Sequence, residues 1–164
     1  AVEGAPWDAT AISGPLAPEL ACQTLEARAR NAGVRFERFL PGLGGWLGAA
    51  DALVCRGGYN TLVEAVSQGT PTLCVPRTMP RKEQWLRAQA FARLGLLRTI
   101  EPDRLSPDVL RREIDAALRT RRCEVRTRAH AALRFDGAWR AARCLLQTAQ
   151  PRRSPVESLA AVAR

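Results

Sequence analysis

Residues Cys55-Arg56-Gly57-Gly58-Tyr59-Asn60-Thr61 place two glycines between an apolar run (Ala52, Leu53, Val54, Cys55) and the start of a helix-periodic stretch. A helix N-terminus presents unpaired amides and the positive end of its dipole, so an anion such as a diphosphate can bind there. Gly57 and Gly58 carry no side chain and let the backbone approach that anion closely. Asn60 or Thr61 is expected to cap the helix. Two glycines before a helix also make an ordinary tight turn, so the pair by itself defines no ligand. Neither G-x-x-x-x-G-K-[ST] nor G-x-G-x-x-G occurs, which removes the P-loop and dinucleotide fingerprints.

Glu64 follows Asn60 at i+4 and shares its helix face. A carboxylate there repels phosphate but accepts two hydrogen bonds from a vicinal diol such as a ribose; a solvated helix carboxylate has the same spacing. A second polar cluster, Arg77, Arg81, Lys82, Glu83 and Gln84, follows the apolar run ending at Pro76. Its cations can neutralise a diphosphate, although Lys82 reads better as part of a basic loop. Glu83 and Gln84 suit sugar hydroxyls, or simply complement the dipole of the helix they open. His130, the only histidine, lies in a late arginine-rich helix and reads as a surface residue.

The elements that must position these residues alternate. Strands are predicted over residues 9–13, 34–39, 51–55, 71–75 and 96–100. Helices are predicted over 19–32, 44–49, 60–68, 82–94, 106–118, 124–133 and 138–148. Ser106-Pro107 gives the cap-and-proline signal for the start of the helix over 106–118. Residues 71–75, PTLCV, form a continuous apolar run of the kind buried on both faces. Alternation of this kind predicts an α/β fold, a doubly wound Rossmann-like parallel sheet with helices on both faces. Ligands of such sheets bind at the carboxyl ends of the strands. The loops after Ser13, Phe39, Cys55 and Val75 are therefore expected to open on one edge. Residues 1–148 are expected to form this domain and 149–164 a polar tail with a weak helix near 156–162.

The 164 residues include 25 Lys+Arg and 16 Asp+Glu, a net charge of +9 that favours anionic ligands. The five cysteines include no C-x-x-C pair; Cys55 and Cys74 sit at apolar strand positions and read as core residues, and the set implies a reducing compartment, not a disulfide framework or zinc site. No apolar run is long enough to span a bilayer. No nucleic-acid motif or interleaving of aromatics accompanies the basic charge, so nucleic acid is not an expected partner. The chain opens on Ala1 without a Met or signal pattern and is expected to be a fragment of a longer protein.

The order ADALVCRGGYNTLVEAVSQGTPTLCVPR…EQWLRAQAFARLGL resembles the carboxyl-terminal domain of GT-B glycosyltransferases, above all family twenty-eight. That family includes the lipid-linked N-acetylglucosaminyltransferase of peptidoglycan synthesis. The resemblance covers residues 12–118 and is strongest over 39–94. It implies a domain that binds a nucleotide-sugar donor, UDP-linked by expectation, with no cofactor and no metal. Phe39 and Leu40 match the turn whose backbone reads the base. Gly58, Tyr59, Asn60 and Thr61 match the helix start that holds the diphosphate, and Arg56, Gly57 and Arg77 are expected beside it in the same donor site. Glu64 matches the ribose-binding acid, Gly14 fits the loop after the domain's second strand, and Glu83-Gln84 matches the sugar-contacting pair. That pair is Gln-Gln in the family and Glu83-Gln84 here, which leaves the sugar open.

The family's first strand and its glycine-rich loop are not found before Ala9. The implied reaction is inverting hexosyl transfer to a glycan or lipid-linked glycan. The general base is expected in an amino-terminal domain, and the fragment alone is expected to be inactive. A cytoplasmic location is implied, with peripheral contact at the inner membrane face. A nucleotide-sugar epimerase domain and a non-catalytic donor-binding subunit are the alternatives, with a basic nucleic-acid-binding module behind them.

Overall fold

The computed structural model describes residues 4–149. They fall into two compact units divided between Ala132 and Leu133. The first unit holds five strands: β1 (Thr10–Ile12), β2 (Arg35–Glu37), β3 (Leu53–Cys55), β4 (Thr72–Cys74) and β5 (Arg98–Thr99). Between and after them run α1 (Glu19–Asn31), α2 (Leu43–Ala49), α3 (Tyr59–Gln68), α4 (Glu83–Arg93), α5 (Pro107–Leu118) and α6 (Arg122–Ala132). A 3-10 turn, Pro102–Arg104, precedes α5. Ser106 caps α5 as expected, its Oγ accepting from the Val109 amide at 3.3 Å. Each predicted strand and helix of this unit is present.

Every strand pairing is parallel, and helices flank the strands, so the fold class is the α/β arrangement expected from the alternation. The strands are shorter than predicted. Proline sets the limits of β4, because neither Pro71 nor Pro76 has an amide to donate. Pro71 still accepts from the Leu53 amide at 2.8 Å.

The parallel strands are not all hydrogen-bonded into one sheet. There are two ladders, β1-β2 and β3-β4-β5, with no pairing between β1 and β3. The common doubly wound order is 3-2-1-4-5-6. Removing its first strand leaves one ladder of two and one of three, which is the observed pattern. No strand among the described residues fills that position.

The core sits around β4, whose three residues are all buried. Leu62 of α3, Cys74, Ala88 of α4 and Leu97 pack together, with Cys55, Phe91 and Ala92 at the margin. Burial of a leucine of this kind contributes about 1.5–3 kcal/mol. Arg122 fastens α6 below this core. It donates to the Ala50 carbonyl, to the Gln68 carbonyl at 3.3 Å and to Thr70 Oγ1 at 3.2 Å. Thr70 in turn donates to the Leu47 carbonyl at 2.7 Å, so the ends of α2, α3 and α6 are held together.

The second unit contains α7 (Gly137–Ala149), which starts at the predicted Asp136-Gly137 break. Within it the Arg143 guanidinium lies 5.5 Å from the Trp139 ring centre. The predicted helix near 156–162, and all of the predicted tail except Ala149, lie outside the described residues.

Candidate functional site

The chain leaves β3 at Cys55 and enters α3 at Tyr59 through Arg56, Gly57 and Gly58. Gly57 has φ +85°, in the region that favours glycine. A Cβ there would stand 3.1 Å from Cys74 Sγ and 3.5 Å from the Gln84 carbonyl oxygen, so the turn is pressed against β4 and the start of α4. Cys74 suits that contact as a neutral thiol, its pKa pushed up by its hydrogen bond with Cys55 and by burial.

The expected side-chain cap is absent. Gly58 is the cap residue of α3 and no side chain bonds to the end of the helix. Asn60 and Thr61 are already inside the first turn, two and three residues past the cap position. The first helical bond runs from the Leu62 amide to the Gly58 carbonyl at 3.0 Å. The amides of Tyr59, Asn60 and Thr61 therefore have no partner among the described residues. Three unpaired donors at the positive end of a ten-residue helix are suited to an oxyanion.

Gln84 joins this turn. Its Cβ lies 3.6 Å from the Gly57 Cβ position, and its Oε1 accepts a long bond, 3.4 Å, from the Arg77 amide. Arg87, one turn further along α4, donates from Nη1 to the Gly57 carbonyl at 3.0 Å. Its guanidinium carbon lies 5.5 Å from the centre of the Tyr59 ring. Gly57, Gly58, Tyr59, Arg77 and Gln84 thus share one corner, with Arg87 as a member that motif spacing did not single out. The signal was present as an arginine three residues after Gln84 on the same helix face.

Glu64 lies farther along α3, on the side that faces α2. Its Oε1 stands 2.2 Å from where a Cβ on Gly44 would be, so the absent side chain at 44 makes the notch that holds the carboxylate. Gln68 closes the notch by donating from Nε2 to the Gly44 carbonyl at 3.0 Å. The Gly44 helix follows directly on Phe39 and Leu40, the turn expected to read a base. Leu40 is buried and Phe39 is 61% exposed. Glu64 has no hydrogen bond or ion pair to another side chain among the described residues, and it is exposed.

Neither of two cavities elsewhere in the unit is bordered by Gly58, Glu64 or Gln84. A cavity of about 530 Å³ is bordered by Pro6, Trp7, Arg111 and Asp115. Another of about 230 Å³ lies between β4–β5 and α6, bordered by Thr72, Leu97, Arg98 and Val125. The candidate residues instead form an open rim along α3, with amides at one end and a carboxylate past the middle. Gly14 has φ +87° in the loop after β1, and no contact joins it to this rim. Arg56 and Glu83 are exposed and make no side-chain bonds among the described residues. His130 is exposed, with Nε2 3.2 Å from the Ser67 carbonyl, as a surface residue should be.

These features define a parallel α/β domain in which a helix with unpaired N-terminal amides starts just past the carboxyl end of a strand. The chain belongs to the glycosyltransferase family 28 C-terminal domain, which matches residues 19–138. It is 37% identical over 71 residues to the UDP-N-acetylglucosamine--N-acetylmuramyl-(pentapeptide) pyrophosphoryl-undecaprenol N-acetylglucosamine transferase of Shouchella clausii, a match covering 42% of this chain and 20% of the relative. The enzyme of the same name from Mannheimia succiniciproducens is 31% identical over 85 residues, covering 52% of this chain and 24% of the relative. Among solved structures, Acinetobacter baumannii MurG superposes with a TM-score of 0.67 at 15% identity, over 87% of this chain and 42% of that one. The matches span about a quarter or less of the curated relatives' length, and the MurG likeness concerns the fold alone. No helix among the described residues is long and apolar enough to cross a membrane.

Proposed function

We propose that this domain binds the nucleoside-diphosphate part of a sugar donor along α3, within an enzyme that transfers a hexosyl group to a glycan or lipid-linked glycan acceptor. One observation carries the reading: three unpaired amides and an unpaired carboxylate occur on the same helix, in the order that a diphosphate and its ribose require. The amides at Tyr59, Asn60 and Thr61 would hold the diphosphate. Glu64 would accept the two ribose hydroxyls, and the turn at Phe39 and Leu40 beside it would meet the base. Gln84, with Glu83 as its neighbour, would face the sugar.

In such a transfer the bond from the anomeric carbon to the diphosphate oxygen breaks, and negative charge builds on the leaving phosphate. Fixed amides and a helix dipole aimed at that oxygen stabilise the charge without having to reorganise. The family's relatives by name use UDP-N-acetylglucosamine, which supports a uridine donor and an N-acetylhexosamine as the first sugar to test. The acceptor, the general base and any peripheral membrane contact are proposed to lie with the remainder of a longer enzyme, and a cytoplasmic site of action goes with that donor.

Titration calorimetry of the domain against UDP, dTDP and GDP tests the reading. UDP is expected to bind, and Glu64→Ala to weaken it by about 1–3 kcal/mol, the loss for hydrogen bonds to a charged group. A domain that binds none of the three diphosphates, or a variant with unchanged affinity, overturns it.

A further inference from the structure

Arg87 does more than decorate α4. Its side chain is half-buried and reaches back across the β3–α3 turn, where Nη1 donates to the Gly57 carbonyl at 3.0 Å and the guanidinium stacks 5.5 Å from the Tyr59 ring centre. Gly57 is the one turn residue with positive φ and has no side chain to restrict it. Nothing in its own residue type fixes the plane of the peptide that follows.

The plane matters because the peptide is rigid. In a trans peptide the Gly57 carbonyl and the Gly58 amide point in opposite directions. Holding the carbonyl toward α4 therefore turns the Gly58 N–H away from α4. Arg87 fixes that choice through the carbonyl, while Cys74 Sγ and the Gln84 backbone crowd the Gly57 α-carbon. The contact with Tyr59 restrains the next residue, whose amide is the first of the three unpaired donors.

We infer that Arg87 is a positioning residue of the diphosphate site, acting through the Gly57–Gly58 peptide and the Tyr59 ring. This rests on the donor-binding reading and adds to it a residue that selects one peptide orientation before the anion arrives. The role is made by a hydrogen bond and a stacked ring, so it belongs to the shape and donor capacity of the side chain more than to its charge.

The test compares UDP with uridine, which lacks the phosphates, on the unsubstituted domain and on Arg87→Ala and Arg87→Lys. Melting temperature and the amide exchange of Leu62 are followed in parallel. Arg87→Ala is expected to weaken UDP by about tenfold, which corresponds to about 1.4 kcal/mol, and to leave uridine affinity unchanged. Arg87→Lys, which keeps the charge but not the planar fork, is expected to recover little of the loss. The Leu62 amide, whose bond to the Gly58 carbonyl closes the first turn of α3, is expected to exchange faster in Arg87→Ala without any ligand present. Unchanged UDP affinity in Arg87→Ala overturns the inference, as does a loss shared equally by uridine or one that Arg87→Lys fully restores. Failure of the unsubstituted domain to bind UDP overturns the donor reading itself, and Arg87's part in it, whatever the exchange data show.

Discussion

Gly57 and Gly58 stand side by side and answer to different constraints. Gly57 has positive φ and meets Cys74 Sγ and the Gln84 backbone, whereas a Cβ on Gly58 would meet only Thr61 Oγ1 at 3.9 Å. Gly57→Ala is therefore expected to cost about 1–3 kcal/mol of stability, the range for a non-glycine residue held in a sparsely populated backbone region. Gly58→Ala is expected to change stability by less than about 0.5 kcal/mol. Urea denaturation of the two variants separates them, and equal losses would remove the distinction. The sequence pair Gly-Gly announced the turn but not which glycine it needs, because φ and the neighbour across the turn come from β4 and α4. Glu64 was legible from its i, i+4 relation to Asn60. The notch at Gly44 that holds it was not, since that contact joins helices twenty residues apart in sequence. Arg87 shares a helix face with Gln84, but its partner is thirty positions earlier, so spacing alone does not assign it to the turn.

At the scale of elements, apolar periodicity and the Gly, Pro and Ser signals were enough to locate five strands and seven helices, because those signals act within a few residues. What they could not locate is how one element is fastened to another. Arg98 on β5 and Glu113 on α5 form such a fastening, with Nη2 2.6 Å and Nε 2.9 Å from Glu113 Oε2. The hydrogen bonds from Arg98 hold the Glu113 carboxyl below its ordinary pKa of 4.5, against the opposing effect of burial. A carboxyl whose folded pKa is depressed adds stability above its unfolded pKa and loses it as pH falls through the folded one. Arg98 remains 47% exposed, so solvent screening limits the pair to about 0.5–1 kcal/mol. Glu113→Gln is expected to be less stable than the unsubstituted domain by that amount at pH 7. Below pH 4.5 the gap should narrow, because protonation then removes the same charge from Glu113. Urea titrations at pH 7 and pH 3 check this; a gap that persists unchanged at pH 3 would assign the effect to packing instead.

At the scale of the whole described molecule, the break between the two ladders follows from topology that no single element reveals. Every strand was read correctly in kind, yet pairing depends on which strand occupies the centre, and that is a property of the order 2-1 and 3-4-5 seen together. Hydrogen-bond direction tells which groups the break leaves open. The Leu53 amide donates to Pro71 and the Cys55 carbonyl accepts from Val75, so Val54, between them, turns its amide and carbonyl to the other edge. On β1, Ala9 and Ser13 bond toward β2, which by the same alternation turns Thr10 and Ile12 outward. Ile12 is 42% and Val54 44% exposed, whereas Leu73 in the middle of β4 is fully buried. Amide hydrogen exchange should follow this division. The Leu73 amide is expected to exchange only with global opening, and the Ile12 and Val54 amides through local fluctuation, faster by orders of magnitude. Protection of Val54 equal to that of Leu73 in the isolated domain would mean that its edge is already paired. The fast exchange expected here marks the opposite: β3, the strand that delivers Gly57 and Gly58 to the site, is braced by hydrogen bonds on its β4 side alone.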